Sequence, residues 1–422
     1  MPEWLRVAGE QRTRYETLDG QFRAGRQGGD QALALRTSLT AELNTHPVGL
    51  FTEILDAREY LTDVGSPIDN TMVNPLEVLQ AHVRWEAGDL IPGGTNTLKL
   101  GRETLDLGNR RLVARNAFRN TINAFTGADW LWSGNRGDSV RAFWFLPVQR
   151  LPDDATSLLD NEIVADTQDL DRQFLGMHAT SRKLAADLRA EVYWYTLLEE
   201  NDPTSRGRRL HTPGFRTFRR PGVGKFDLEI ESALQRGTSK SGIGNLPELD
   251  HTAYFLHGSA GYTIDVPWTP RFEVAYDQAS GDGSASDGRN QRFDTLFGAR
   301  RWEYGPTGIY GAIARANLRS PGVSLGVRPR KGLEASGAFR QVWLDSAVDA
   351  FTAAGVRDAS GRAGVDAGRQ LELRLRWEAL PGNLRFDTGV TWFLRGDFLR
   401  QAPNAARNGD TTYAYFEATL VF

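Results

Sequence analysis

The chain has 422 residues, 50 basic and 53 acidic side chains, a net charge of −3 and no cysteine. A pI of about 6.1, with no basic run standing apart from acids, argues against nucleic acid as a partner, and the absent cysteines exclude disulfides, thiolate metal sites and a cysteine nucleophile. No run of 18 apolar residues is available for a transmembrane helix, and no Pro/Ser-rich linker divides the chain, so one unit spanning 1–422 is expected.

From the N-terminus the side chains alternate. Leu5, Val7 and Gly9 stand against Arg6, Glu10, Arg12, Arg14 and Glu16. Successive side chains of a strand face opposite sides, so 4–17 is expected to form a strand with one apolar and one charged face. The same reading gives strands at 31–44, 48–57, 75–87, 96–104, 120–132, 139–146, 173–180, 187–198 and 207–218. Further strands are expected at 224–236, 249–263, 270–278, 322–329, 332–344, 369–379, 383–395 and 411–422. Segments 292–304 and 308–319 are candidates for two more. In mid-chain Phe226, Leu228 and Ile230 oppose Lys225, Asp227, Glu229 and Glu231. Later, Leu371, Leu373, Leu375 and Trp377 oppose Gln370, Glu372, Arg374, Arg376 and Glu378. Short connections rich in Pro and Gly, near 45–48, 182–186, 221–224, 329–332 and 381–383, suit tight turns. They alternate with long ones at 18–30, 58–74, 104–119, 147–172, 237–248, 279–321, 345–368 and 396–410.

The last residues, TTYAYFEATLVF, carry Ala414, Phe416, Ala418, Leu420 and Phe422 on one parity, and Tyr413, Tyr415, Glu417 and Thr419 on the other. A chain that stops in mid-strand on an aromatic leaves that strand seeking a partner, and closure onto the first strand supplies one. The ending resembles the C-terminal signal of bacterial outer-membrane barrels. Strands of about 9–11 residues, alternating apolar-out and polar-in, with short turns on one side and long loops on the other, are the marks of such a barrel. The fold class expected is therefore all-β: a single transmembrane antiparallel barrel of about 18 strands, within a range of about 16–20. Trp4, Tyr15, Trp85, Trp377, Trp392 and Tyr413 suit interfacial aromatic girdles. The start MPEWLRVAGE has neither a basic n-region nor an apolar core, so a mature chain whose signal peptide has been removed is expected.

Of the 50 basic residues 45 are Arg. Coding bias raises Arg over Lys on its own. A lumen lined for anions is the sharper reading, because the guanidinium fork matches carboxylates and keeps its charge.

The stretches DQALALRTSLTAEL (30–43), LKLGRETLDLGNRRLVARNAFRNTINAFTGADW (98–130), RFDTLFGARRWEYGPTGIYG (292–311) and GRQLELRLRW (368–377), with the closing YFEATLVF, resemble the alginate export family of outer-membrane barrels. The resemblance runs over essentially the whole chain. It implies an Arg-rich pore narrowed by loops folded into the lumen, here 103–119 and 292–320. The first, with Arg102 just before it, carries Arg110, Arg111, Arg115 and Arg119; the second carries Arg292, Arg300, Arg301, Arg315 and Arg319. Arg36 matches the family position that points into the pore, and Arg374 lies on the polar parity of its strand. Interleaved acids (Glu10, Asp277, Glu372, Asp387) would soften the field so that an anion can leave as well as enter. For any single Arg, the plainer reading is a lumen salt bridge that stiffens the wall.

Other motifs carry little. His251 and His257 share a strand face at a spacing unusual for zinc. DGSASDG (282–288) lacks the terminal Glu of a calcium loop. The acidic 147–172 loop reads as a solvated face or a site for divalent ions among lipopolysaccharide phosphates. No Ser-His-Asp order, P-loop or nucleotide fingerprint is present. The expectation is a monomeric, cofactor-free channel, not an enzyme, in the bacterial outer membrane, contacting lipid and lipopolysaccharide. It would pass an acidic polysaccharide or oligosaccharide, with or without periplasmic export partners. A general or small-anion porin, and a β-rich glycan-active enzyme, are the alternatives.

Overall fold

The computed structural model describes residues 2–63, 65–88 and 90–422. Its strands, in chain order, are β1 (Leu5–Asp19), β2 (Asp30–Thr45), β3 (Val48–Tyr60), β4 (Asn74–Glu86), β5 (Gly94–Glu103), β6 (Phe125–Gly134), β7 (Ser139–Pro147), β8 (Arg172–Thr180), β9 (Arg189–Glu199) and β10 (Arg209–Arg219). They continue with β11 (Phe226–Ser239), β12 (Leu249–Thr263), β13 (Arg271–Ala279), the two-residue β14 (Arg289–Asn290), β15 (Leu318–Arg330), β16 (Leu333–Trp343), β17 (Asp366–Leu380), β18 (Leu384–Arg395) and β19 (Thr411–Val421). Each long strand pairs antiparallel with its sequence neighbour, β13 skipping to β15, and β1 pairs with both β2 and β19. Eighteen strands thus close into a barrel. β14 only adds a short parallel ladder to β12. No helix among the described residues is long and apolar enough to cross a membrane; strands do the crossing.

Closure uses the chain end as its sequence suggested. Tyr15 sits opposite Phe416 and Glu10 opposite Val421. Gly9 exchanges backbone hydrogen bonds with Phe422 at 2.7 and 3.0 Å. A Cβ at residue 9 would lie 2.4 Å from the Phe422 ring, so only glycine lets the terminal aromatic lie flat on the first strand.

The parity readings translate into two faces. Leu371, Leu373, Leu375 and Trp377 are exposed on the outside, whereas Gln370 and Glu372 are buried in the lumen. Trp4, Tyr15, Trp85 and Trp377 are exposed near strand ends, as a girdle requires. Tyr413 is a correction: it is fully buried and its hydroxyl donates to Glu16 at 3.0 Å. Its parity is that of Glu417, which faces inward. The two candidate extra strands at 292–304 and 308–319 are also corrected. Up to residue 317 that stretch holds turns and one helical turn, Arg301–Tyr304, and the backbone of Phe297 and Ala299 pairs with another loop; only Leu318 and Arg319 are strand, as the start of β15. β6 begins five residues later than expected because 120–124 belong to that other loop.

Connections alternate between tight turns and long loops. In single-chain outer-membrane barrels the short turns lie on the periplasmic side, and both termini share that side here.

Candidate functional site

Two loops leave the rim and fill the bore. The first, residues 104–124 after β5, crosses it. At one end Arg111 reaches the carboxylates of Glu229 and Glu231 on β11, the latter at 2.5 Å, and of Glu303 at 3.0 Å. Burial opposes its charge, but Glu303, Glu231 and Glu229 outweigh that and hold it far above the ordinary Arg range. At the other end three wall guanidiniums grip the backbone. Arg12 donates to the carbonyls of Ala117 and Arg119, both at 2.9 Å, Arg14 to Phe118 at 2.6 Å, and Arg36 to Ala117 at 2.8 Å. Buried backbone acceptors need partners, and charged donors make strong ones. The Phe118 ring lies between Arg14 and Arg301, 4.5 and 4.7 Å from its centroid. Because β1 and β11 stand on opposite walls of the ring of strands, this loop bridges the lumen.

The second loop, 291–317, is stitched to the first. Phe297 accepts from Ala114 at 3.1 Å and donates to Leu112 at 2.9 Å. Arg315 donates to the Arg111 carbonyl at 2.7 Å and to Glu303 at 2.9 Å. Arg301 pairs with Glu372 at 2.8 Å and donates to the Tyr415 hydroxyl. The Phe297 ring stands edge-on to Phe125 and Phe174, at 5.1 and 4.9 Å. While Asp129, His178 and Glu191 keep the polar character that alternation implies, the lumen-facing Phe125, Phe143, Phe145, Phe174 and Tyr195 of β6 to β9 are aromatic. The plug gives them an apolar partner.

The sequence-predicted arginines fall into groups. Arg36, Arg111, Arg301 and Arg374 are bound to lumen carboxylates; Arg374 pairs with Asp387. Arg115 donates to Glu53 at 2.6 Å. Arg292 joins Asp349 at 2.9 Å on the outer edge of the plug. Arg102 and Arg319 do not join the bore. Arg102 shares the outward parity of Leu98 and Leu100 and bonds Glu77 at 2.6 Å. Arg319 shares that of Val323 and pairs with Asp345 at 2.7 Å. Their placement in the pore is therefore corrected: parity turns both to the outer face at the rim. The interleaved acids are all engaged too: Glu10 by Arg36, Asp277 by Arg340, Glu372 by Arg301, Asp387 by Arg374. His251 and His257 share a face but serve separate networks, with Ser239 and Asp277.

Arg300 differs. Its guanidinium reaches only the carbonyls of Gly311 and Ile313, at 3.4 Å. Burial, then the like charges of Arg119 and Arg23, push it down to about 9, so it stays protonated at neutral pH. Arg119 is lowered by burial, with Asp69 opposing. Arg150 is pushed to about 10 by burial and by Arg119, and Arg23 to about 10 by burial and Arg26. These four arise from four different loops, on the long-loop side. Among the described residues none has a carboxylate within 4.0 Å. Arg23 and Arg150 escaped sequence reasoning because irregular loops carry no period to orient them. Trp302 escaped too: it is 49% exposed inside the lumen, with Arg110 and Arg374 at 4.8 and 5.8 Å from its ring centroid.

The family model described as alginate export matches residues 3–412. The chain belongs to the alginate export family. No curated protein matches it in sequence. Solved structures with the same fold include three channels of Pseudomonas aeruginosa. OpdK, solved with vanillate, is 13% identical over 99% of both chains with a TM-score of 0.61. OccK8 (OprE) is 11% identical over 99% of this chain and 98% of its own, at 0.60. OccD3 (OpdP) is 13% identical over 100% and 91%, at 0.59. This alginate export family member is an outer-membrane barrel with the fold of a transport channel.

Proposed function

We propose that this barrel passes an anionic oligosaccharide or polysaccharide through a bore constricted by loops 104–124 and 291–317, without catalysis or cofactor. The observation that carries the reading is the Arg23, Arg119, Arg150 and Arg300 cluster at the mouth, cationic and without carboxylate partners. Fixed charges of one sign beside low-dielectric walls focus the field and concentrate anions. Replacing a carboxylate's water costs less where guanidinium donors stand ready. Paired arginines deeper in the wall hold the loops, so the mouth attracts and the wall shapes.

A small-anion porin is the second reading. It is favoured by the barrel's likeness to channels such as the one solved with vanillate, a likeness of fold alone. Planar-bilayer recording separates the two. Anion-selective current under a salt gradient, blocked by oligouronate in a length-dependent way, supports the glycan channel. Anion selectivity without length-dependent block supports the porin. A current that does not select anions overturns both.

A further inference from the structure

On the short-turn side of the plug lies a hollow of about 590 Å³, within the size range of small-ligand sites. Its far wall is small: Ser324 and Gly326 on β15 face Ala338 and Ser336 on β16 in register. A Cβ at Gly326 would meet nothing within 4 Å. Trp302 projects into this space from the helical turn Arg301–Tyr304. Its neighbours Arg301 and Tyr304 are buried and engaged, so the turn does not need Trp302 to hold its place. Nothing among the described residues accepts from its indole N–H, and half its surface is open. Arg110, 4.8 Å from the ring, likewise donates its guanidinium to no protein group.

The exposed half of the indole offers apolar surface that a ligand gains by covering. Arg110 lies over one face of the ring; the CH-rich face of a pyranose can cover the surface that stays open, and the Arg110 fork matches a carboxylate. Glu372, on the same hollow, offers a hydroxyl acceptor and limits how tightly an anion is held.

We infer that Trp302 and Arg110 form a saccharide subsite on the periplasmic side of the plug, taking one uronate ring. The ring stacks on the indole and its carboxylate meets Arg110. The subsite rests on the acidic-glycan reading above.

The test is single-channel block by a tetra-uronate added to either side of the intact barrel, read as a ratio. The ratio is the half-blocking concentration from the short-turn side over that from the long-loop side. Trp302→Ala should raise it about 3- to 10-fold, the range expected for a lost aromatic contact, and Trp302→Phe should restore most of it. Gly326→Phe, which fills the hollow from the opposite wall, should raise it to a similar extent and decides the matter if Trp302→Ala fails to insert. An unchanged ratio in an inserted Trp302→Ala or Gly326→Phe channel overturns the subsite while leaving the anionic-glycan channel standing. Wild-type channels that uronate blocks from neither side overturn both.

Discussion

Arginine does opposite work in two regions of this lumen. Arg111 meets three carboxylates, and Arg315 and Arg301 each meet a carboxylate and an aromatic ring, so their fields are spent locally and the result is a fixed plug. At the mouth, Arg23, Arg150 and Arg300 donate only to neutral carbonyl or amide oxygens and Arg119 meets no carboxylate among the described residues, so their field remains for whatever enters. The residue type is the same; the presence of a carboxylate partner decides between fastening and attraction.

The comparison is most severely tested at Arg111. Arg111→Leu leaves Glu231 with only the Tyr193 hydroxyl, while Glu229 keeps Arg216 and Glu303 keeps Arg315, and removing one partner of a buried ion pair costs about 3–5 kcal/mol. We expect the crossing loop to release, with single-channel conductance rising several-fold. Unchanged conductance would mean the loop is held without it.

The next test concerns the wall on which both regions depend. Leu373 is 46% exposed on the outer face. Leu373→Arg should cripple assembly, since Arg at the bilayer midplane costs about 2–4 kcal/mol. Arg374→Leu, one residue away and lumen-facing, should still yield heat-modifiable barrel on gels, because Asp387 keeps the Tyr415 hydroxyl. Equal yields would contradict the orientation.

At the mouth the expected energetic effect is smaller and the functional one specific. Joint Arg119→Glu and Arg300→Glu should abolish or reverse the anion-selective reversal potential, with melting temperature altered far less than in Arg111→Leu because no ion pair is broken. A large loss of stability with selectivity retained would assign these arginines a fastening role.

The mildest test is pH. Asp166 lies in the loop after β7, accepting from Leu151 and Asn74, both at 2.9 Å. Burial, and then Glu77, outweigh Arg150 and push it up to about 6. Falling from pH 7 to 5 protonates it, removes a negative charge beside Arg150 and should strengthen anion selectivity modestly. Asp166→Asn should show the low-pH selectivity already at pH 7 and lose that step.

Much of the architecture was legible because a strand's face is a local property. Alternation at Leu371–Trp377 and Ala414–Phe422 marked the membrane side without knowledge of any neighbour. Eighteen strand positions followed, as did the closure onto β1. The errors fall where backbone partners are distant. Residues 292–317 read as strands, yet the backbone of Phe297 and Ala299 bonds to residues 110–114 across the bore. Tyr413 read as a girdle residue until Glu16 on β1 appeared as its partner.

The candidate site divides along the same line. Arg36 and Arg374 were legible from parity, and Arg111 and Arg300 from a resemblance in sequence. Which of them carries a carboxylate was not, because Glu229, Glu231 and Glu303 lie more than a hundred residues from Arg111. Arg102 and Arg319 went astray because a loop-edge residue takes its face from the strand it adjoins. Sequence by itself determined the wall, since period-two patterning needs only neighbours in the chain. Only the tertiary structure decided the bore, because pairing of charges depends on distance in space, and there two loops and opposite walls meet.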